Sequence, residues 1–573
     1  MKIIITPLLA ILLLAGCAKS PAPAVVPTPK FEQYGRKVLT GKVEPKVEIN
    51  AKYEERLGVE GYLLQVGRKG VCIRAASDAG AFYALQTLGQ ITDSEGIRYA
   101  TIEDSPRFAY RGMHLDVSRH FFPKEEVMKI LDEMSRYKFN RLHFHLTDNG
   151  GWRVQLESCP DLTRLGSYRM IKDWDAFWLH SPMDFCKEGT PGAYGGYYTK
   201  QDIKDIIEYA AQRHIEIIPE IEFPAHSNAV FAAYPKLTCG PKGVRGGEFC
   251  VANEGTFEFA EKVLLEIMDL FPSKVIHIGG DEARMVGWKS CPKCKALMKE
   301  KGLTEYSQLQ CYMISRIQKF ITSHGHVMAG WEQILENDDL ESSSIAYSYR
   351  SDSAAFKAAN RGLKAVLTPG KVLYMDWFQA HPYLETKAQY GYTPLHKIYK
   401  YQPDIEGKVA KGLRSNILGV QGCMWTEYVP TAEHLEYMLF PRMLAIAEKA
   451  WSEPGSTDWD EFKLKVALQI PQLKARGINV YDQHDMPEIT TDGRTVEMDH
   501  ENPYAQIRYT IDGSEPDDQS ALYSGPFGFS SDTLTIKAAA FTPGAKSFTR
   551  EITLIKGRQY IEEYLEIDPH LSW

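Results

Sequence analysis

The stretch that decides the fold begins at residue 110, where YRGMHLDV (110–117) is followed by KEEVMKILDEMSRY (124–137) and NRLHFHLTD (140–148). Two apolar runs of strand length flank a segment with apolar residues at helical spacing, which predicts two parallel β-strands joined by an α-helix. Six more strand-like runs continue the alternation: IEIIPEIEF (215–223), KVIHIGGDE (274–282), HVMAGWE (326–332), SIAYSYR (344–350), LKAVLTP (363–369) and NILGVQGCMWTE (416–427). Eight such strands predict an α/β fold, a (β/α)8 TIM barrel, over residues 107–480. A doubly wound open sheet is the alternative, although no Gly-rich nucleotide-binding turn follows the first strand.

Segments of a different texture flank the barrel. Residues 18–106 begin with the Pro-rich tether SPAPAVVPTPK and then mix short β-like runs with one helix-like stretch, which predicts a small N-terminal α/β domain. Residues 481–556 contain short β-like runs separated by turn signals, such as IRYTIDGSEP and LTIKAAAF, and predict a small β-sandwich. We expect residues 557–573 to form a polar tail.

The first seventeen residues have the character of an export signal. They combine one lysine with an apolar run that is too short to span a membrane, and they end in Leu-Ala-Gly-Cys. This ending resembles a bacterial lipoprotein signal peptide covering residues 1–17, with Cys17 as the lipid-modified residue. The chain is then expected to be exported and lipid-anchored in the bacterial cell envelope, in the periplasm or at the outer membrane. An ordinary cleaved signal with an incidental cysteine is the alternative.

Composition and charge exclude some classes of function. The 573 residues are 44% hydrophobic and 24% charged, which is typical of a folded globular protein, and the net charge is -8. Because this balance gives no basic surface for phosphates, nucleic acid is not an expected partner. The 31 Tyr and 10 Trp suit a sugar-binding surface, although large hydrophobic cores use aromatic residues as well.

The cysteines suggest local pairing rather than metal binding. Export permits disulfides, and Cys239 and Cys250 flank a Gly-rich loop that a disulfide could close. Cys291 and Cys294 form a lone CxxC motif with no second pair at zinc-ligand spacing, so a structural zinc site is not expected. These two are expected to form a local disulfide or to remain free thiols. No cofactor and no metal are predicted.

Polar and aromatic residues cluster where the predicted strands end. In a (β/α)8 barrel these ends meet at one face, which carries the active site. Paired carboxylates and flat aromatic rings are what glycoside chemistry requires, for proton transfer and for stacking on sugar faces. The candidates are Asp116, Asp148, His226, Asp281, Glu282, Trp331, Glu332, Trp425 and Glu427, with Arg111 on the first strand and Tyr374 and Asp376 after the seventh.

Some of these residues also have other interpretations. His143 and His145 alternate along the second strand and face the same way, which raises a metal-dependent barrel hydrolase as a second hypothesis. Such a site also needs histidines and an aspartate on later strands, but the fifth strand ends in GWEQ and the eighth in MWTE. Asp116 is expected to hold a strand end in place, and Glu220 and Glu222 to give structural support. A catalytically silent glycan-binding lipoprotein on the same scaffold is a third hypothesis.

Seven motifs in order resemble glycoside hydrolase family 20, the β-N-acetylhexosaminidases. They are YRGMHLDVSRHFFP, HFHLTDNGGWR, EIEFPAH, HIGGDEA, GWE, YMDW and GCMWTE, and the similarity extends over roughly residues 35 to 455. The C-terminal segment is similar to the sandwich domain that often follows such barrels. The resemblance implies an exo-acting hydrolase that removes terminal, non-reducing N-acetyl-β-D-hexosamine (GlcNAc or GalNAc) from glycans. The implied partner is a glycan or glycoconjugate, with membrane contact only through Cys17.

The resemblance also implies a retaining mechanism in which the substrate supplies the nucleophile. Its 2-acetamido oxygen attacks C1 and gives an oxazolinium intermediate, a known exception to the two-carboxylate rule. Glu282 matches the general acid/base, and Asp281 the residue that orients and stabilises the acetamido group. Asp148 and His226 match a hydrogen-bonded pair that tunes the pKa of Glu282.

The remaining site residues are implied by the same motifs. Tyr349 stands where the family usually has a tryptophan, which leaves the exact substrate open. The implied ligands of the sugar hydroxyls are Arg111, Asp376 and Glu427; the implied contacts of the acetamido group are Tyr374, Trp331, Trp425 and Tyr349.

Overall fold

The computed structural model describes residues 23–180, 184–239, 247–481 and 485–560. The signal peptide expected at residues 1–17, with Cys17, lies outside these ranges. Within the described residues, no helix is at once long enough and apolar enough to cross a membrane.

Eight parallel strands close into a barrel, which confirms the predicted (β/α)8 architecture. The last barrel strand along the chain pairs with the first strand over six residue pairs, from Gly419 opposite Tyr110 to Met424 opposite Leu115. The sheet therefore has no open edge. The open doubly wound sheet is therefore wrong. The strands are β1 (Tyr110–Asp116), β2 (Arg141–His145), β3 (Glu216–Phe223), β4 (Val275–Gly279), β5 (Val327–Trp331), β6 (Ile345–Ser348), β7 (Lys364–Leu367) and β8 (Ile417–Met424).

The helices that connect successive barrel strands differ in length. The fifth connection, all of whose residues are described, has only the 3-10 helix Glu332–Glu336 between β5 and β6. The main helices are α1 (Lys124–Arg136), α2 (Lys200–Ala211), α3 (Glu254–Leu270), α4 (Ser307–Ser323), α5 (Asp352–Asn360), α6 (Leu395–Lys400) and α7 (Arg442–Trp451). Short additional helices are Asp161–Gly166, Trp174–Leu179, Asn228–Ala233, Val286–Ser290, Pro292–Lys301, Gly370–Leu373, Ile405–Lys408 and Ala432–Leu439.

A six-stranded sheet with one main helix precedes the barrel, as predicted. The helix Asp78–Gln90 begins after Ser77, whose hydroxyl accepts a hydrogen bond from the Gly80 backbone N–H, and it packs on the sheet through buried apolar side chains. Lys138 of the barrel is fully buried and its Nζ lies 2.8 Å from Asp104, so a charged pair joins the two units. The strands are Phe31–Leu39, Lys46–Ile49, Tyr62–Gly67, Gly70–Ala75, Thr92–Asp93 and Gly96–Asp104, and two short helical segments are Ala51–Tyr53 and Glu54–Leu57.

Two antiparallel sheets follow the long helix Trp459–Ala475 and share one apolar core, which confirms the predicted sandwich. The expected tail begins later than residue 557, because Tyr560 exchanges two backbone hydrogen bonds with Thr491. The strands are Glu488–Thr491, Thr495–Asp499, Gln506–Thr510, Ala521–Leu522, Phe527–Gly528, Thr533–Thr542, Ala545–Lys546 and Arg550–Ile555.

Candidate active site

A cleft of about 520 Å³ opens at the carboxyl ends of the barrel strands, a size suited to small ligands. Nine of the predicted site residues line it, which supports the rule that strand-end polar residues converge. The lining residues are Arg119, His226, Asp281, Glu282, Trp331, Tyr349, Arg350, Gly370, Lys371, Tyr374, Asp376, Trp377, Gln389, Trp425 and Glu427.

The adjacent carboxylates follow a glycine pair that ends β4. Gly279 has φ +67°, and a Cβ atom there would lie 1.9 Å from Oε2 of Glu222, so no larger residue fits without displacement. The Asp281 residue is 8% exposed, whereas the Glu282 side chain is 59% exposed and its backbone has φ 47°, in the left-handed region. The two carboxylates thus occupy different environments although they are neighbours in sequence.

His226 links these two carboxylates to a third. Its Nδ1 donates to Oδ1 of Asp148 at 3.2 Å, and its Nε2 lies 3.6 Å from both Oδ2 of Asp281 and Oε2 of Glu282. His226 also has a left-handed backbone, with φ 51°, just after the end of β3. The predicted pair of Asp148 and His226 is therefore present, and it contacts both members of the Asp-Glu pair.

The surroundings shift the pKa values of His226, Asp281 and Glu282 in different directions. Burial disfavours a charged imidazole, but Asp148 and Asp281 raise the pKa of His226 well above its ordinary value. Burial also raises the pKa of Asp281 to about 6, against the opposing effect of His226. The hydrogen-bonding side chain of His226 lowers the pKa of Glu282 in the open cleft.

Arg111 was predicted to hold sugar hydroxyls, and this prediction is wrong. Arg111 is the second residue of β1 and lies at the opposite end of the barrel, where its guanidinium donates to both carboxylate oxygens of Glu60 at 2.9 Å. The arginine in the cleft is Arg119, three residues beyond the end of β1. Its guanidinium lies 2.8 Å from Asp148 and 3.6 Å from Glu427.

Asp376 and Glu427 form a second pair of carboxylates in the lining of the cleft. Asp376 is buried and Glu427 is half-buried, and burial raises the pKa of each, with Arg119 opposing the shift at Glu427. Among the described residues, Oδ1 of Asp376 and Oε2 of Glu427 have no hydrogen-bond partner. Unsatisfied buried acceptors are costly, so these two oxygens are suited to hydroxyl donors of a ligand.

Aromatic side chains form one wall of the cleft. The Trp331 indole is buried and held in place by a 2.8 Å hydrogen bond from its Nε1 to Oε1 of Glu220. Its ring lies 5.6 Å from that of Trp425 and 5.9 Å from that of Tyr349. The Tyr349 hydroxyl accepts a 2.7 Å hydrogen bond from Gln333, so it is a fixed polar group within an otherwise apolar wall.

A buried histidine network lies beneath the cleft. The Glu220 carboxylate is hydrogen-bonded to Nδ1 of His145 at 2.5 Å, and its oxygens lie 3.0 Å from Nε2 of His143 and 2.8 Å from Nδ1 of His277. The other ring nitrogen of His145 contacts Asp148 at 2.9 Å. Both histidines of the alternative metal hypothesis thus orient carboxylates, and neither lines the cleft. The structural role expected for Glu220 agrees with this geometry.

Sequence reasoning missed Arg119 and Trp377. Arg119 stands in the quoted motif YRGMHLDVSRHFFP, and its position past the strand end was the available signal, since Arg111 starts the strand. Trp377 follows the predicted Tyr374 and Asp376 and adds a ring 6.4 Å from that of Tyr374. Its motif neighbours were noted, but no periodicity marked this tryptophan as a lining residue.

Comparisons with known proteins agree with this geometry. Residues 108–454 match "Glycosyl hydrolase family 20, catalytic domain", residues 25–105 match domain 2 of that family, and residues 487–551 match the chitobiase/beta-hexosaminidase C-terminal domain. A beta-hexosaminidase of Porphyromonas gingivalis is 34% identical over 85% of this chain and 63% of its own length. One from Akkermansia muciniphila is 32% identical over 72% of this chain and 83% of its own length.

Solved structures give the same result. A family 20 exo-β-N-acetylglucosaminidase from Vibrio harveyi, solved with N-acetylglucosamine, superposes with a TM-score of 0.71 at 29% identity, covering 81% of this chain and 79% of that one. The chain spans less than two thirds of the first curated relatives it matches, 63% and 64% of their lengths.

Proposed function

The chain belongs to glycosyl hydrolase family 20, and from that premise we propose that it is an exo-acting β-N-acetylhexosaminidase. Its substrate is a glycan or glycoconjugate that ends in a non-reducing N-acetyl-β-D-hexosamine, GlcNAc or GalNAc. The observation that carries the proposal is the contact of one histidine, His226, with both Asp281 and Glu282 inside the cleft. The mechanism that the family resemblance implies takes its nucleophile from the substrate, and we assign that mechanism to this cleft.

In the first step, the acetamido carbonyl oxygen of the sugar attacks C1 as the glycosidic C1–O bond breaks. Glu282 donates its proton to the departing oxygen, and the acetamido group becomes a positively charged oxazolinium ring. The buried carboxylate of Asp281 stabilises the positive charge that develops on the acetamido nitrogen. A buried charge does this better than an exposed one, because the surrounding dielectric constant is low.

In the second step, Glu282 removes a proton from water as the water oxygen attacks C1 and the ring reopens. Two inversions at C1 give net retention of configuration. His226 and Asp148 act through Glu282 and Asp281, since they hold both carboxylates in place and set their charge.

The rest of the cleft fits the terminal sugar. Asp376 and Glu427 offer unpaired acceptors and Arg119 offers donors, the set needed for adjacent sugar hydroxyls. Trp331, Trp425 and Tyr349 enclose the region opposite, where a methyl group is sheltered from water. The Tyr349 hydroxyl makes this enclosure more polar than three tryptophans would, which admits a modified acyl group.

A series of aryl N-acyl-β-glucosaminides tests the proposal. Each added fluorine on the acetyl group makes the carbonyl oxygen less nucleophilic, so kcat should fall steeply from acetyl to trifluoroacetyl, and the plain β-glucoside should be hardly cleaved. A metal-dependent hydrolase using His143 and His145 would show no such dependence. A protein that binds N-acetylhexosamine without turnover would be a glycan-binding lipoprotein.

We further propose that the chain is exported and anchored to the cell envelope through lipid on Cys17. The support is the sequence alone, an apolar run followed by Leu-Ala-Gly-Cys. The Pro-rich segment predicted as a tether is packed into the fold where it is described, since Val25, Val26 and Thr28 are buried. Cells grown with labelled fatty acid should incorporate label into the wild-type chain and not into Cys17→Ala. Labelling of the alanine variant would rule out this anchor.

A further inference from the structure

Four cysteines from two separate loops converge on one point. They are Cys239 and Cys250, after β3, and Cys291 and Cys294, after β4, and their sulfur atoms all lie within 4.8 Å of one another. All four are free thiols in the structure. Cys250, Cys291 and Cys294 are buried, and Cys239 is half-buried.

The spacing of the sulfurs is that of a tetrahedral thiolate site. Zn–S bonds of about 2.3 Å place the sulfurs of a tetrahedron about 3.8 Å apart. Sγ of Cys294 lies 3.4 Å from Sγ of Cys239 and 3.9 Å from Sγ of Cys250. One sulfur is therefore close to both cysteines of the other loop, as expected for a shared central ion. Two disulfides would instead separate the four atoms into two bonded pairs.

The motif and its charge environment also suit a metal. Cys291 and Cys294 have the CxxC spacing of a zinc-ligand pair, and Cys294 lies in the first turn of the helix Pro292–Lys301, whose N-terminus favours thiolates. The second pair, whose absence argued against zinc, is Cys239 with Cys250, which have ten residues between them. The backbone bridge between Thr238 and Phe249 brings that pair together.

We propose that Cys239, Cys250, Cys291 and Cys294 bind one Zn²⁺ ion, which ties the loop after β3 to the loop after β4. The first loop carries His226 and the second carries Asp281 and Glu282. Protein contacts already join the loops at the same place, since Nε1 of the fully buried Trp288 donates to the Phe249 carbonyl at 2.8 Å. The ion is a positioning element for the acid/base residue and touches no reacting atom.

Zinc content is the direct test and is independent of catalysis. The full chain, purified without chelator, should contain about one zinc per chain by plasma mass spectrometry, together with four thiols that an alkylating reagent reaches only after the zinc is removed. Cys294→Ser and Cys250→Ser should lose the zinc. Cys72→Ser is the matched control, because Cys72 is a half-buried thiol in the N-terminal domain, and it should keep the zinc.

Several results would overturn the site. Two disulfides found by alkylation without reductant, a metal-free chain, or zinc retained in Cys294→Ser would each do so. Because wild-type protein is stripped and reloaded with zinc in the same assay, a failure of the serine variants to fold leaves the proposal testable. Cobalt in place of zinc should give the visible absorption of a tetrahedral tetrathiolate ion.

The positioning role rests on the proposed function and needs a second readout. Zinc removal should lower kcat about tenfold or more on a substrate with a poor leaving group, with little change in KM, and zinc should restore it. Zinc bound at unit stoichiometry with no change in kcat on removal would refute the positioning role and leave the site standing. Loss of all hydrolase activity in the untreated, zinc-loaded chain would instead count against the proposed function.

Discussion

Substitutions of two arginines near the first barrel strand are expected to have opposite effects on catalysis and stability. Arg119 lies in the cleft, between Asp148 and Glu427, whereas Arg111 is bonded to Glu60 at the other end of the barrel. We expect Arg119→Gln to impair catalysis and Arg111→Gln to impair stability. The two substitutions remove the same charge from equally buried sites, so each is the control for the other.

The magnitudes follow from what each guanidinium contacts. A hydrogen bond that involves a charged group contributes about 1.5–3 kcal/mol. If Arg119 makes one such bond to a sugar hydroxyl in the transition state, its loss lowers kcat/KM about 10- to 150-fold. The guanidinium also lowers the pKa of the buried Asp148, so its removal favours the neutral acid and weakens the support of His226.

Arg111→Gln leaves Glu60 without its partner, and breaking a buried ion pair costs about 3–5 kcal/mol of stability. Glu60 is 22% exposed at its side chain, which places the cost toward the lower end of that range. The folded enzyme should nonetheless keep kcat/KM within about twofold of wild type, because no contact of Arg111 reaches the cleft.

Initial rates on a chromogenic N-acetyl-β-glucosaminide, together with thermal unfolding, measure both effects. Rates are normalised to the folded fraction, so a loss of stability does not appear as a loss of catalysis. The assignment of Arg119 fails if Arg111→Gln lowers kcat/KM at least as much as Arg119→Gln while its melting temperature is unchanged.

Three further substitutions test the Asp-Glu pair and the turn that carries it. Glu282→Gln should lose about 10²- to 10⁴-fold in rate on poor leaving groups and much less on activated aryl glycosides, since only the former need the proton; equal losses would contradict the acid role. Wild-type kcat/KM should fall as pH decreases through about 6, where Asp281 becomes neutral. Asp281→Asn should be slower than wild type and should lack this acidic decrease; if the variant keeps the decrease, another group causes it. Gly279→Ala should lower kcat about 100-fold by displacing the pair against Glu222, whereas Gly302→Ala, with the same φ of +67° and open space, should affect only stability; similar kinetics for both would show that the clash is relieved without cost.

Much of the fold could be predicted from the sequence because its signals are local. Apolar runs such as those at 140–148 and 215–223 repeat around helical segments, and a barrel then has one face on which strand ends meet. Residues at those ends, such as Trp331 and Glu427, were placed correctly by this rule alone. The same rule excludes Arg111 from the site face, because Arg111 lies at the start of its strand. The prediction of Arg111 as a sugar ligand came from the family motif and not from this rule.

What could not be predicted depends on contacts between distant segments. The cysteine cluster joins a loop after β3 to a loop after β4. A CxxC motif does not reveal a partner pair whose members have ten residues between them and lie more than forty residues earlier. The contacts of the histidines beneath the cleft also could not be predicted. His143 and His145 were recognised as facing one way, but their shared carboxylate, Glu220, lies on a different strand.

The left-handed backbone of His226 and Glu282 shows why the two loops need a firm connection. Each non-glycine residue in this conformation costs about 1–3 kcal/mol, and it persists only where the surroundings determine it. Both φ angles, 51° and 47°, belong to residues that meet across the cleft at 3.6 Å. If either residue relaxed to a common conformation, the imidazole would leave Glu282, whose charge it sets. The hydrogen bond from Trp288 to the Phe249 carbonyl, together with the proposed zinc site, holds the two strained turns against each other. The adjacency of Asp281 and Glu282 is therefore useful only because a second loop, far away in sequence, is held against it.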